Sequence, residues 1–192
     1  MMTEANETSL AKPVAPGNQS FVAPAQSDFA KIFTGWLQDY GGIPVKVARS
    51  FTADSEDQRD LRQQMYLQIW RSIGSFSAQA KASTWVYRVC LNTAMTWRRS
   101  ETRRRLFLES IAPIDFQPNE QAAPSDPRLE ALYAAIRELR PADRALILLY
   151  LEERSYREMA EITGLTESNT GVRLQRVKRE LAQRLTSTPH HD

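Results

Sequence analysis

Apolar residues recur along this chain at intervals of three and four, and the stripes they form are broken by glycine, proline and short polar runs. Phe29, Ile32, Phe33, Trp36, Leu37 and Tyr40 predict a first helix, stopped by Gly41-Gly42 and Pro44. Val45, Val47 and Phe51 predict a short second one. The acidic run Asp54 to Asp57 then opens a third, because carboxylates favour the positive end of a helix. Within it Leu61, Met65, Ile69 and Ile73 stand four apart, with Trp70 beside the stripe. Gly74 to Ser83 is short and polar and reads as a loop, after which Ser83 or Thr84 is expected to cap a fourth helix.

The same punctuation returns near the C-terminus. Asp126-Pro127 is an N-cap followed by proline in the first turn, and Leu129, Leu132, Ile136 and Leu139 form its stripe. Pro141 opens a helix carrying Leu146, Leu149 and Tyr150. Ser155 and Glu158 form a capping box for the next, which buries Met159, Ala160 and Ile162 and ends at Gly164. Thr166 or Ser168 opens the last, with Val172, Val177, Leu181 and Leu185 expected inside. The fold class is therefore all-α.

Between the halves, residues 106–126 contain three prolines and scattered apolar groups and are expected to be a flexible linker, although Leu106, Phe107 and Leu108 are able to prolong the preceding helix. Residues 1–27, rich in Ala, Pro, Ser and Asn, bury too little to offset their ordering entropy and are expected to form a disordered extension. That gives two small helical domains, 28–105 and 127–186, with a tail at 187–192.

Charge adds one local fact. The net charge is only +2, but Arg98 to Arg105 holds five arginines against one glutamate, directly after Trp85, Arg88, Asn92 and Trp97. Guanidinium groups hold phosphates and aromatic faces stack unpaired bases, at roughly 1–3 kcal/mol per base, so this pattern suits single-stranded nucleic acid. Aromatics at helical spacing also serve as core, and Trp85, Val86, Val89 and Cys90 are placed to face Met65 and Ile69. In the C-terminal half, two short helices joined by Gly164-Leu165-Thr166 make a helix-turn-helix arrangement. Its second helix presents Ser168, Asn169, Arg173, Arg176, Lys178 and Arg179 for base edges and phosphates in a major groove. No phosphate loop, HExxH or Cys/His cluster is present. The lone Cys90 excludes an internal disulfide, and no apolar run reaches the ~18–20 residues of a membrane span. No catalysis, metal or cofactor is expected, and the chain is expected to be cytoplasmic without membrane insertion.

The residues Asp60-Leu61 with Gln63, Trp70-Arg71, Phe76, Thr84-Trp85-Val86-Tyr87-Arg88 and Asn92-Thr93-Ala94 resemble region 2 of the extracytoplasmic-function sigma factors of bacterial RNA polymerase. The run from Ser155 to Leu181 resembles their region 4. The resemblance implies that the helix of Asp60, Gln63, Gln64 and Trp70 docks on core RNA polymerase. It implies that Lys81, Trp85, Arg88, Asn92, Trp97, Arg98 and Arg99 capture the melted minus-ten element, and that region 4 reads the minus-thirty-five element of promoter DNA. It further implies a sequestering anti-sigma partner. Two departures stand out: Arg59 and Gln64 occupy positions usually acidic in that family, and Gly171 replaces a DNA-facing residue at a cost of ~1 kcal/mol in helix stability. The alternative is a helix-turn-helix regulator with a helical sensor or interaction domain, which leaves the aromatic-basic stretch as coincidence.

Overall fold

A computed structural model describes residues 26–109 and 126–187. The side chains of residues 26–27, 99–109 and 187 fall outside that description. So do residues 1–25, 110–125 and 188–192, which hold nearly all of the expected extension, most of the expected linker and His190-His191.

The described residues form eight α-helices and contain no strand. They are α1 (Gln26–Tyr40), α2 (Gly42–Phe51), α3 (Ser55–Ser72), α4 (Ala82–Glu109), α5 (Pro127–Glu138), α6 (Pro141–Leu151), α7 (Tyr156–Thr163) and α8 (Glu167–Ser187), with a 3-10 turn at Ile73–Ser75. The caps explain most boundaries. The Asp54 carboxylate accepts from the backbone of Glu56 and Asp57 at the start of α3, and Asp126 accepts from Arg128 ahead of Pro127. Ser155 and Glu158 close a reciprocal capping box on α7, and Gly164 ends that helix at φ 74°, where a Cβ would be strained. One boundary differs from expectation. Helix α4 begins at Ala82, with Trp85 N–H bonded to the Lys81 carbonyl at 3.1 Å, so Ser83 and Thr84 sit buried in its first turn instead of capping it. At its other end α4 continues through Arg105 to Glu109.

The helices gather into two clusters. In the first, α2 packs on α3 and α4, burying Val47, Phe51, Leu61, Met65, Ile69, Val86, Tyr87, Cys90 and Leu91. Each fully buried apolar side chain of this size contributes roughly 1.5–3 kcal/mol. Trp85 and Val89 are only half-buried. In the second, α8 lies across α5, α6 and α7, burying Ile136, Leu146, Leu149, Met159, Ile162, Leu174, Val177 and Leu181. Val172, expected inside, is 73% exposed. The buried stripe of α8 runs instead through Thr170, Leu174, Val177 and Leu181, and Thr170 satisfies its hydroxyl by donating to the Thr166 carbonyl at 2.9 Å.

The clusters also pack on each other and share one continuous core. Helix α2 meets α5 and α6, and α4 meets α7. That is why α6 is buried on nearly all sides from Asp143 to Leu149: α8 covers one side and α2 another. Arg144, 1% exposed, donates to the carbonyls of Arg137 in the last turn of α5 and of Leu139 just past it, and reaches the Phe51 carbonyl at the end of α2. Carbonyls at helix C-termini lack helical partners, and a buried cation satisfies them. Burial, with the nearby charges of Arg98 and Arg137, lowers the Arg144 pKa to about 10, so it stays charged at neutral pH.

Candidate nucleic-acid interface

Lys81, Trp85, Arg88 and Asn92 fall at helical spacing along one face of α4 and its approach, and helix α7 lies over part of that face. Lys81 Nζ stands 2.9 Å from Glu158 Oε1 at the start of α7, and Arg88 donates to the Glu161 carbonyl at 2.5 Å near its end. Arg154, just ahead of α7, donates to Ser83 Oγ at 3.3 Å and lies over the Tyr87 ring. The Glu158 carboxyl divides its work: Oε1 takes Lys81 and Oε2 accepts from the Ser155 backbone. The Lys81 hydrogen bond and then the capping bonds hold its pKa down at about 2.

Trp85 is tied to the end of α3 and to the loop that precedes α4. Its indole N–H donates to Ser72 Oγ at 3.1 Å, and Phe76 meets its ring at 5.8 Å, with Trp36 edge-on to Phe76 at 5.1 Å. Asn92 is exposed and, with Gln64, Gln68, Ser72, Thr96 and Trp97, lines a groove of about 460 Å³ between α3 and α4. Trp97 and Arg98 are half-buried further along α4; the Arg99 side chain lies outside the described residues.

On α3, Asp60, Gln63, Gln64 and Trp70 are all exposed, outside the buried Leu61–Met65–Ile69 stripe. Trp70 is 42% exposed, its ring edge-on to Phe33 at 5.3 Å. Leu67 shares that face at 54% exposure and was missed from the sequence, although it stands out of register with the buried stripe. A solvent-facing leucine beside an exposed tryptophan and amides marks a contact surface better than amides alone.

On α8, Ser168 and Asn169 are exposed just inside the N-terminus. Arg173 is committed elsewhere: its Nε stands 2.6 Å from the Asp143 carboxylate, which is 3% exposed in the first turn of α6. Arg176 reaches the same carboxylate at 3.7 Å but remains 59% exposed. Lys178 donates to the Tyr150 hydroxyl at 3.0 Å and lies over that ring, a contact that raises its pKa. The face of α8 open to solvent is thus Ser168, Asn169, Val172, Gln175, Arg176 and Arg179.

Two family models match these two clusters separately and in order: Sigma-70 region 2 over residues 37–104, and Sigma-70, region 4 over residues 129–181. The chain belongs to the sigma-70 family. It is a sigma factor of the extracytoplasmic-function type, a non-catalytic factor of transcription initiation. It is 25% identical over 138 residues to the RNA polymerase sigma factor YlaC of Bacillus subtilis, a match spanning 69% of this chain and 80% of that one. It is also 25% identical over 141 residues to the ECF RNA polymerase sigma factor SigM of Mycobacterium tuberculosis, spanning 73% of this chain and 70% of that one. Its fold resembles that of the sigma factor RpoE crystallised with the anti-sigma factor NepR from Bartonella quintana, with a TM-score of 0.64 at 18% identity, covering 83% of this chain and 99% of that one. The region 2 match accounts for the aromatic-basic helix that a plain helix-turn-helix regulator leaves unexplained. No helix among the described residues is long and apolar enough to cross a membrane.

Proposed function

We propose that this sigma factor directs core RNA polymerase to promoters through three surfaces. The exposed face of α3, with Asp60, Gln63, Gln64, Leu67 and Trp70, docks on the core enzyme. The α4 face, with Lys81, Trp85, Arg88, Asn92, Trp97, Arg98 and Arg99, receives the melted minus-ten strand. The solvent face of α8, with Ser168, Asn169 and Arg176, enters the minus-thirty-five major groove, while Arg173 and Lys178 orient that helix and lend positive charge. Residues 28–105 and 127–186 act as two modules joined by residues 106–126.

The observation that carries this reading is the pairing of region 2 and region 4 in one chain, in that order, each with a helix that presents basic and amide side chains. The packing of α7 on α4 makes the described arrangement a closed one. Lys81 and Arg88 cannot hold phosphates while they hold α7, so promoter capture requires α7 to leave. An anti-sigma partner that favours the closed form fits this geometry, and the fold neighbour bound to NepR supports such a partner.

Run-off transcription with purified core polymerase, followed by sequencing of the transcripts, tests the proposal. Initiation from discrete sites sharing two spaced elements is expected only when this protein is added. Initiation indistinguishable from core polymerase alone would overturn it.

A further inference from the structure

The most exposed large apolar side chain among the described residues is Val172, at 73%. It stands in the second turn of α8, among Ser168 and Asn169 one turn before and Gln175 and Arg176 one turn after, all of them exposed. The opposite face, through Thr170, Leu174 and Val177, is fully buried, so Val172 does not serve the fold. Its neighbour Gly171 has no side chain to flank it, and a Cβ there would find only the edge of the Tyr156 ring, at 3.9 Å. Val172 therefore projects alone from a helix face otherwise able to form hydrogen bonds.

Base edges in a major groove offer donors and acceptors, which serine, asparagine, glutamine and arginine can pair, and one apolar group, the thymine 5-methyl. Two methyl groups on a β-branched, rotamer-restricted side chain match that group and nothing else in the groove. Against cytosine the same side chain would cover the exocyclic amine and leave it unpaired. We infer that Val172 determines specificity in the duplex element read by α8, by packing on the 5-methyl of a thymine. The inference rests on the reading of α8 as a promoter-reading helix and adds the base chemistry at one of its positions.

The test uses holoenzyme assembled from the full chain and a promoter duplex taken from the sequenced transcripts. Each thymine of the upstream element is replaced in turn by deoxyuridine, which removes the methyl and keeps every hydrogen-bonding group. Wild-type holoenzyme is expected to bind about four-fold more weakly at one position, the value of one buried methyl. Val172→Ala, which keeps only one of the side-chain methyl contacts, is expected to diminish that dependence while its melting temperature stays unchanged. Promoter-specific binding by wild type that is indifferent to deoxyuridine at every position would overturn the inference and leave the α8 reading intact. An undiminished deoxyuridine penalty in Val172→Ala would also overturn it. If the upstream element could be scrambled without loss, the α8 reading would fall, and the role of Val172 with it.

Discussion

Replacing Glu158 by glutamine should loosen the grip of α7 on α4 without damaging either helix. Glutamine still accepts from the Ser155 backbone in a capping box, so the start of α7 is kept. What disappears is the charge facing Lys81 at 2.9 Å. Lys81 is 74% exposed, so water screens most of that attraction, and the pair is worth ~0.2–1 kcal/mol, far less than the depressed carboxyl pKa alone suggests. That corresponds to a roughly 1.5- to 5-fold rise in the population with α7 released, and to an equal gain in apparent affinity for a ligand that needs the freed face. Fluorescence anisotropy with a single-stranded minus-ten oligonucleotide, at fixed salt, reads this gain. Removing any acid also raises DNA affinity non-specifically, and Glu161→Gln controls for that. Glu161 takes part in the α4 contact through its backbone carbonyl, while its side chain pairs with Arg157 at 3.4 Å. Equal gains in the two variants would mean that the Lys81–Glu158 contact does not hold α7 on α4.

Three further outcomes are expected, at this contact and at two other places in the fold. Because the Glu158 pKa is lowered to about 2, its stabilisation is present above pH ~4.5 and is lost as the pH falls through about 2; the acid limb of thermal stability in that window should flatten in Glu158→Gln. Asp143→Ala removes the partner of the half-buried Arg173 and should lower stability by about 1–3 kcal/mol, a fall of roughly 2–10 °C in melting temperature, whereas the more exposed Arg176→Ala should shift it by less than about 2 °C. Leu67→Ser should leave the melting temperature within about 2 °C and weaken binding to core polymerase several-fold, because the leucine is 54% exposed; a loss of stability without loss of binding would make it a packing residue.

Much of the fold is legible because helix ends here are written in local chemistry. Asp54, Asp126-Pro127, the Ser155–Glu158 box and Gly164 each act within four residues of themselves. The register of α8 was less legible: hydrophobicity favours Val172, yet a threonine whose hydroxyl bonds back to its own helix buries as readily, and Thr170 takes the inner position. Distant partners were not legible at all. Nothing near Arg173 announces that a carboxylate 30 residues earlier will hold it. The closed packing is likewise built from side chains such as Lys81 and Arg88, whose residue types fit a phosphate, a carboxylate or a helix end equally well. Sequence therefore nominates candidate surfaces but does not reveal which of them the molecule covers with its own helix.

On the proposed reading one face of α4 serves both the closed arrangement and the melted promoter strand, so the two cannot coexist. Resonance energy transfer between dyes at Gln68 on α3 and Gln183 on α8, both exposed, measures this directly in the full-length protein. Efficiency should be high for the free protein and fall when core polymerase and a promoter with an unpaired minus-ten strand are added. An efficiency that stays unchanged in an actively initiating complex would mean that α7 stays on α4 while the promoter strand is held.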